Sequence, residues 1–164
     1  MRLPQPIYEK HAVDQVLETV KDPEIPVLTV EDMGIIRAVE FDADLVRVSI
    51  TPTYSGCPAM DTIAEDILSA LTLHGYSNVE IKTVLTPAWS TDLISEAGKK
   101  KLEEFGIAPP STSAQGALSG HEEVHCPQCK SDNTVLVSAF GSTACKALYK
   151  CQDCLEPFDY FKCV

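Results

Sequence analysis

Two short cysteine knuckles near the C-terminus limit what this chain can fold into more than any other feature. "CPQC" supplies Cys126 and Cys129, "CQDC" supplies Cys151 and Cys154, and 21 residues lie between the pairs. A Cys-x-x-Cys turn is tight enough to aim both sulfurs at one ion, and tetrahedral Zn²⁺ takes four ligands. Two such turns across a hairpin-sized span are the pattern of a four-thiolate zinc ribbon. The intervening "TVLVSAFGS" and "KALYK" are expected to be the strands that carry the second knuckle back to the first. A tail of about 40 residues buries too little apolar surface to fold unaided, so a closed, structural zinc site is the first expectation. A rubredoxin-like iron site and a redox dithiol use the same spacing. Catalytic zinc is not expected, because four thiolates leave no open coordination position. Cys145 reads as a small buried residue rather than a ligand, and Cys163 is left without a role.

Upstream, "APPSTSAQGALSGHEE", residues 108–123, is rich in Pro, Ser, Gly and Ala and has no apolar periodicity, so it reads as a linker. The expected organisation is an α+β domain over residues 1–107, the linker over 108–123 and the ribbon over 124–164. Within the first part, residues 9–20 place Val13, Val16, Leu17 and Val20 at helical spacing, and "DPEIP" stops the helix. "IIRAVEF" and "LVRVSIT" flank "DAD" as a hairpin, with β-branched alternation around an acidic turn. Met60, Ile63, Ala64, Ile67, Leu68 and Leu71 form a helical stripe that Gly75 ends. "NVEIKTVL" reads as a third strand, and "STDLISEAGKKKLEEFG" as a last helix capped by Ser90 or Thr91. The order α-β-β-α-β-α gives a small sheet with helices on one face.

One thiol stands apart. In "TPTYSGCPAM", Cys57 precedes Pro58, and proline favours the first helical position. Cys57 is therefore expected to be the N-cap, beside unpaired backbone N–H groups and the positive end of the helix dipole, where the thiolate form is favoured. Gly56 removes a side chain beside it, and Thr51, Thr53, Tyr54 and Ser55 bring hydroxyls. A structural N-cap is the competing reading, although Ser, Thr or Asp would cap better. No Cys-His-Asp arrangement is evident, so a hydrolase is not expected. Asp22, Glu24, Glu31 and Asp32 crowd the preceding loop. They could bind a hard cation or move protons, but turn and capping hydrogen bonds explain Asp22 and Asp32 more simply.

The charge is lopsided. Residues 1–110 carry 9 Lys/Arg against 18 Asp/Glu, residues 111–164 carry 4 against 6, and the formal net charge is −11. Such a surface repels polyanions, so no nucleic-acid partner is expected. No segment offers the ~20 apolar residues of a membrane span, and the N-terminus has no apolar leader, which points to the cytoplasm. In that compartment, seven cysteines speak for metal or thiol chemistry rather than disulfides.

Joined together, "DPEIPVLTVEDMGII", the hairpin and "PTYSGCPAM" resemble the small domain of the metal–sulfur cluster biosynthesis (SufT-like) family. The tail "CPQCKSDNTVLVSAFGSTACKALYKCQDCLEPFDYFK" looks like that of the PaaD-type phenylacetate-degradation branch, which adds a zinc ribbon. The resemblance implies a non-enzymatic accessory of the phenylacetyl-CoA epoxidase system, helping to mature the [2Fe–2S] cluster of its flavin reductase. A docking subunit of the oxygenase complex is the alternative. It further implies that Cys57, with Asp22 and Glu24, binds iron or a cluster transiently, and that Cys126, Cys129, Cys151 and Cys154 ligate zinc. One cysteine cannot hold a [2Fe–2S] cluster, which takes four protein ligands. The reductase, a small thiol or a second copy must complete the set, and a homodimer across Cys57 follows as an expectation.

Overall fold

A computed structural model describes residues 9–111 and 123–162, as two compact units that divide at Trp89/Ser90. Helix α1 runs Lys10–Leu17 and buries Val13, Val16 and Leu17. It stops short of the periodic pattern because Thr19 turns its hydroxyl back onto the Val16 carbonyl at 2.6 Å. The loop that follows is part of the core: Ile25, Leu28, Val30, Met33 and Ile35 are each 2% exposed or less. Its turns are closed by short polar side chains. Asp22 Oδ1 accepts the N–H groups of Glu24 and Ile25 at 2.8 and 2.7 Å. Thr29 and Asp32 cap each other reciprocally.

Strands β1 (Ile36–Asp42) and β2 (Leu45–Ile50) form the hairpin, with Asp42 opposite Leu45. Helix α2 (Ala59–Leu73) then crosses over to β3 (Asn78–Thr83), which pairs parallel to β2. The sheet order β1-β2-β3 leaves β2 central. Val46, Val48 and Ile50 of β2 and Ile63, Ile67 and Leu71 of α2 are fully buried or nearly so, joining helices and sheet in one core, while the in-register pair Arg47–Glu80 bridges at 2.7 Å. At the end of α2, Gly75 adopts φ +94°, the Gly75 N–H donates to Thr72 and the Tyr76 N–H to Leu71. This pair of bonds closes the last turn as a Schellman motif. Trp89, 5% exposed, donates from Nε1 to the Met33 carbonyl at 2.7 Å.

The second unit contains a 3₁₀ turn (Thr91–Leu93), helix α3 (Glu96–Glu104), and strands β4 (Ile107–Ala108), β5 (Thr134–Ser138), β6 (Lys146–Cys151) and β7 (Pro157–Phe161). The sheet order is β4-β7-β6-β5, with β4 parallel to β7. Ala108, Val124, Cys126, Ala147, Cys151, Phe158 and Tyr160 form the core of this unit, and Tyr149 packs on it, stacked on Phe158 and edge-on to Tyr160.

The α+β order and the ribbon are as the sequence implies, but three details differ. The division falls at Trp89/Ser90 instead of at residue 107, because β4 pairs with β7 and takes α3 into the ribbon unit. The cap of α3 is Ser95, whose Oγ accepts the Gly98 N–H at 2.9 Å, instead of Ser90 or Thr91. Ile94 is extended there (ψ 127°) and breaks the run into two short helices. Of the expected linker, Ala108 lies in β4, and residues 112–122 lie outside the described residues, as does Cys163. Among the described residues, no helix is long and apolar enough to cross a membrane.

Candidate functional site

The knuckles share one construction. In the first, the Lys130 N–H returns to the Cys126 carbonyl at 2.9 Å, and Lys130 adopts φ +65°. In the second, the Cys154 N–H points at Cys151 Sγ at 3.5 Å, and Leu155 adopts φ +67°. The residue after the second cysteine is left-handed in both, a conformation that favours glycine. Lys130 is held there by two bonds from its ammonium, to Glu103 at 2.5 Å and to the Pro127 carbonyl at 3.0 Å. Glu103 belongs to α3, so the helix braces the knuckle. Asp153 ties the two turns together by accepting from Ser131 Oγ and from Asn133 Nδ2. Those two bonds hold its carboxyl below the usual carboxylate range.

The result is a cage. Cys126 and Cys154 sulfurs lie 3.6 Å apart, Cys129 and Cys151 sulfurs 3.5 Å, and all four fall within 4.8 Å of one another. Zn–S bonds of about 2.3 Å in a tetrahedron put sulfurs about 3.8 Å apart, so the four thiols fit a zinc ion. Cys126 and Cys151 are buried, Cys129 and Cys154 exposed. Thiols this close titrate together. The Cys154 N–H, ahead of desolvation, sets the balance at Cys151 and draws it down to about 7. At Cys154 the Glu156 N–H pulls down as well, but desolvation and three neighbouring sulfurs outweigh it and push that thiol up to about 12. A divalent cation relieves this crowding by replacing protons. Cys145 is outside the cage, 4% exposed and 3.1 Å from Thr143 Oγ1.

Cys57 sits on a different kind of support. Helix α2 begins at Ala59 with Pro58 in the N-cap position, one residue later than the sequence pattern implies. Pro58 already has helical dihedrals (φ −71°, ψ −17°), and the Cys57 carbonyl accepts the Met60 N–H at 3.3 Å. The backbone of Cys57 therefore closes the first turn, but no side chain caps the helix. The half-buried thiol lies 4.0 Å from Thr53 Oγ1. Gly56 has φ +79°, and a Cβ built on it would meet nothing within 4 Å. Its role is thus to let the backbone turn rather than to clear room for a neighbouring group. Thr51, 1% exposed, keeps its Oγ1 buried with no hydrogen-bond partner among the described residues.

Asp22 is 6% exposed, and its Oδ1 is already occupied by the turn it caps, as the simpler reading of the sequence expects. Glu24 is half-buried on the same turn. The Lys130–Glu103 brace and the Asp153 clamp cannot be read from cysteine spacing; the only signal is the absence of glycine after Cys129 and Cys154.

Two family models match the two parts of the chain. Residues 10–83 match a family described as iron–sulfur cluster assembly protein, and residues 110–162 match the PaaD zinc beta ribbon domain. An Escherichia coli protein, described as a subunit of a "Putative 1,2-phenylacetyl-CoA epoxidase", is 46% identical over 94% of this chain and 93% of its own length. A Porphyromonas gingivalis Fe-S protein maturation auxiliary factor is 40% identical over 54% of this chain and 85% of its own. The crystal structure of a DUF59 domain from Bacillus anthracis superposes with a TM-score of 0.53 at 27% identity, covering 57% of this chain and 90% of that one.

Proposed function

This chain belongs to the PaaD family, in which an iron–sulfur cluster assembly domain is followed by a zinc ribbon, and from that premise we propose that it is a cytoplasmic accessory factor of cluster maturation whose client is the reductase of a phenylacetyl-CoA epoxidase system. It is not itself an enzyme. The observation that carries this reading is the union of the two matched domains in one chain, over residues 10–83 and 110–162.

The chemistry divides accordingly. Cys126, Cys129, Cys151 and Cys154 hold structural zinc, and a closed four-thiolate site keeps no position for cargo. Transfer then falls to the first unit. Cys57, half-buried just before α2, takes iron or a cluster as cargo, whereas Asp22, whose Oδ1 is engaged in its own turn, shares a cleft with Asp66, Ser69 and Leu73 towards the other end of that helix, and Glu24 follows it on the same turn. A soft thiolate suits iron–sulfur chemistry, and the remaining ligands come from the client, a small thiol or a second copy.

The test is to co-produce the reductase with the wild-type chain or with Cys57→Ser, then measure iron and acid-labile sulfide per reductase. The variant is expected to leave the client several-fold short of cluster. Full cluster content would end the assignment to Cys57. The description of the E. coli relative as an epoxidase subunit favours a second reading, a docking component of the oxygenase. Under that reading Cys57→Ser leaves cluster content intact, while ribbon variants stop co-purifying with the oxygenase.

A further inference from the structure

Strands β4, β7 and β6 present two faces. Ala108, Ala147, Phe158 and Tyr160 point into the core of the unit, so by alternation Ile107, Lys146, Leu148 and Asp159 fall on the other face. The register sets Ile107 opposite Asp159, and Asp159 opposite Leu148. There they line a slot of about 370 Å³ with Pro157 and Phe105, and Phe105 is 52% exposed. Lys146 is the unusual member. It is 6% exposed, a burial that lysine rarely reaches unless it is paired. An ammonium has three N–H donors, yet among the described residues only Ser142 Oγ meets this one, at 3.3 Å. The same hydroxyl donates to Asp159 Oδ2 at 3.5 Å. Ser142 therefore stands between the two charges, and no ion pair joins them. Gly141 lets the loop sit there: its N–H donates to the Lys146 carbonyl at 2.7 Å, and a Cβ on it would come within 2.8 Å of Asp159 Oδ1. Both contacts of Ser142 exceed the usual lengths of about 2.9 Å for N–H···O and about 2.8 Å for O–H···O, so each charged group keeps capacity for a better partner.

We propose that this slot binds a small carboxamide that carries an apolar group. Its carbonyl oxygen accepts from Lys146 Nζ, its N–H donates to the Asp159 carboxylate, and its apolar group lies against Ile107, Leu148 and Phe105. The pair of charges selects this class. A carboxylate would gain at Lys146 and be repelled at Asp159, and an amine would meet the reverse. An uncharged amide offers an acceptor to the first and a donor to the second, and brings no charge into an apolar slot. The volume is that of a site for one small molecule, apolar in its walls with a few polar groups that fix orientation. None of the four zinc-cage cysteines lines it, so the site is additional to the metal and to the cargo thiol.

The test is backbone NMR of the full-length, zinc-loaded chain titrated with benzamide, and separately with benzoate and benzylamine, which keep the ring and carry one charge each. Benzamide is expected to shift the amide resonances of Lys146, Leu148 and Asp159 saturably, with a dissociation constant roughly tenfold below that of either charged probe. Lys146→Met keeps the length of the side chain and removes the donors. It is expected to weaken benzamide by roughly tenfold with zinc content unchanged. Leu148→Trp fills the slot and keeps both charged groups, and it should abolish the shifts even if Lys146→Met fails to fold. Absence of a saturable shift with benzamide overturns the proposal. So does benzoate or benzylamine binding as tightly as benzamide, which would make the slot an ion site. Benzamide binding that survives in folded Lys146→Met or Leu148→Trp would place the ligand elsewhere and overturn it as well.

Discussion

In the C-terminal unit four sulfurs close on one another within 4.8 Å, whereas in the N-terminal unit Cys57 stands half-buried on a turn, with no other cysteine in that unit among the described residues. The first arrangement is saturated: its knuckles, the Lys130–Glu103 brace and the Asp153 clamp all fix sulfur positions. The second is left incomplete, with a backbone that closes a helix turn and a thiol that does not cap it. The contrast teaches how one chain can use the same element for two ends. Ligands that complete each other's coordination build structure, while a ligand without companions can only bind what arrives with its own.

The comparison breaks most readily at the cage. Cys129→Ser, or extraction of zinc by a strong chelator, is expected to unfold the ribbon unit, because metal-binding free energy on the order of 10 kcal/mol is coupled to folding in such sites. Backbone NMR should show the resonances of β5–β7 collapsing together with those of α3, while β1–β3 and α2 persist. Survival of α3 without the ribbon would disprove its membership of that unit. Cys57→Ser should change neither the zinc content nor the fold, leaving its effect on the client as the only loss.

A smaller effect is expected at the support of Cys57. Gly56→Ala meets no steric obstacle but must hold φ +79°, at a cost of roughly 1 kcal/mol. Chemical denaturation should show that loss in the first unit alone. An unchanged midpoint would mean the turn relaxes freely. The smallest effect concerns Glu31, whose carboxyl is raised by burial and then by the charges of Asp14 and Glu18. A raised folded-state value means the folded chain holds its proton more tightly. Stability is therefore present at low pH and falls as pH rises through that value. Glu31→Gln should stabilise the first unit at neutral pH by less than about 0.5 kcal/mol, given its partial exposure. The gain should vanish in acid, as thermal melts at two pH values would show.

What can be read in advance follows from physics that is local in the chain. The Cys-x-x-Cys turns, the Gly75 stop and the stripe Ile63–Ile67–Leu71 each declare themselves within a few residues. The affiliation of α3 does not, because β4 has two residues and no period can be seen in so short a strand. The same holds for Lys130 and Leu155, where a left-handed turn is held without the glycine that would announce it. Cys57 is visible as a thiol before a helix, yet its side chain leaves the cap empty, since the helix begins one residue later.

The parallel pairing of β4 with β7 carries one more consequence. Ala108 and Val124 belong to the same core cluster, so the chain leaves that cluster and comes back to it. The residues that flank the Pro- and Ser-rich stretch, Ala108 and Val124, thus fall in one unit. Lengthening that stretch would leave the connection between the units unchanged, at a closure cost of only about 0.6 kcal/mol per doubling. That connection is the chain at Trp89 and Ser90, and insertions meant to separate the lone thiol from the zinc cage belong there.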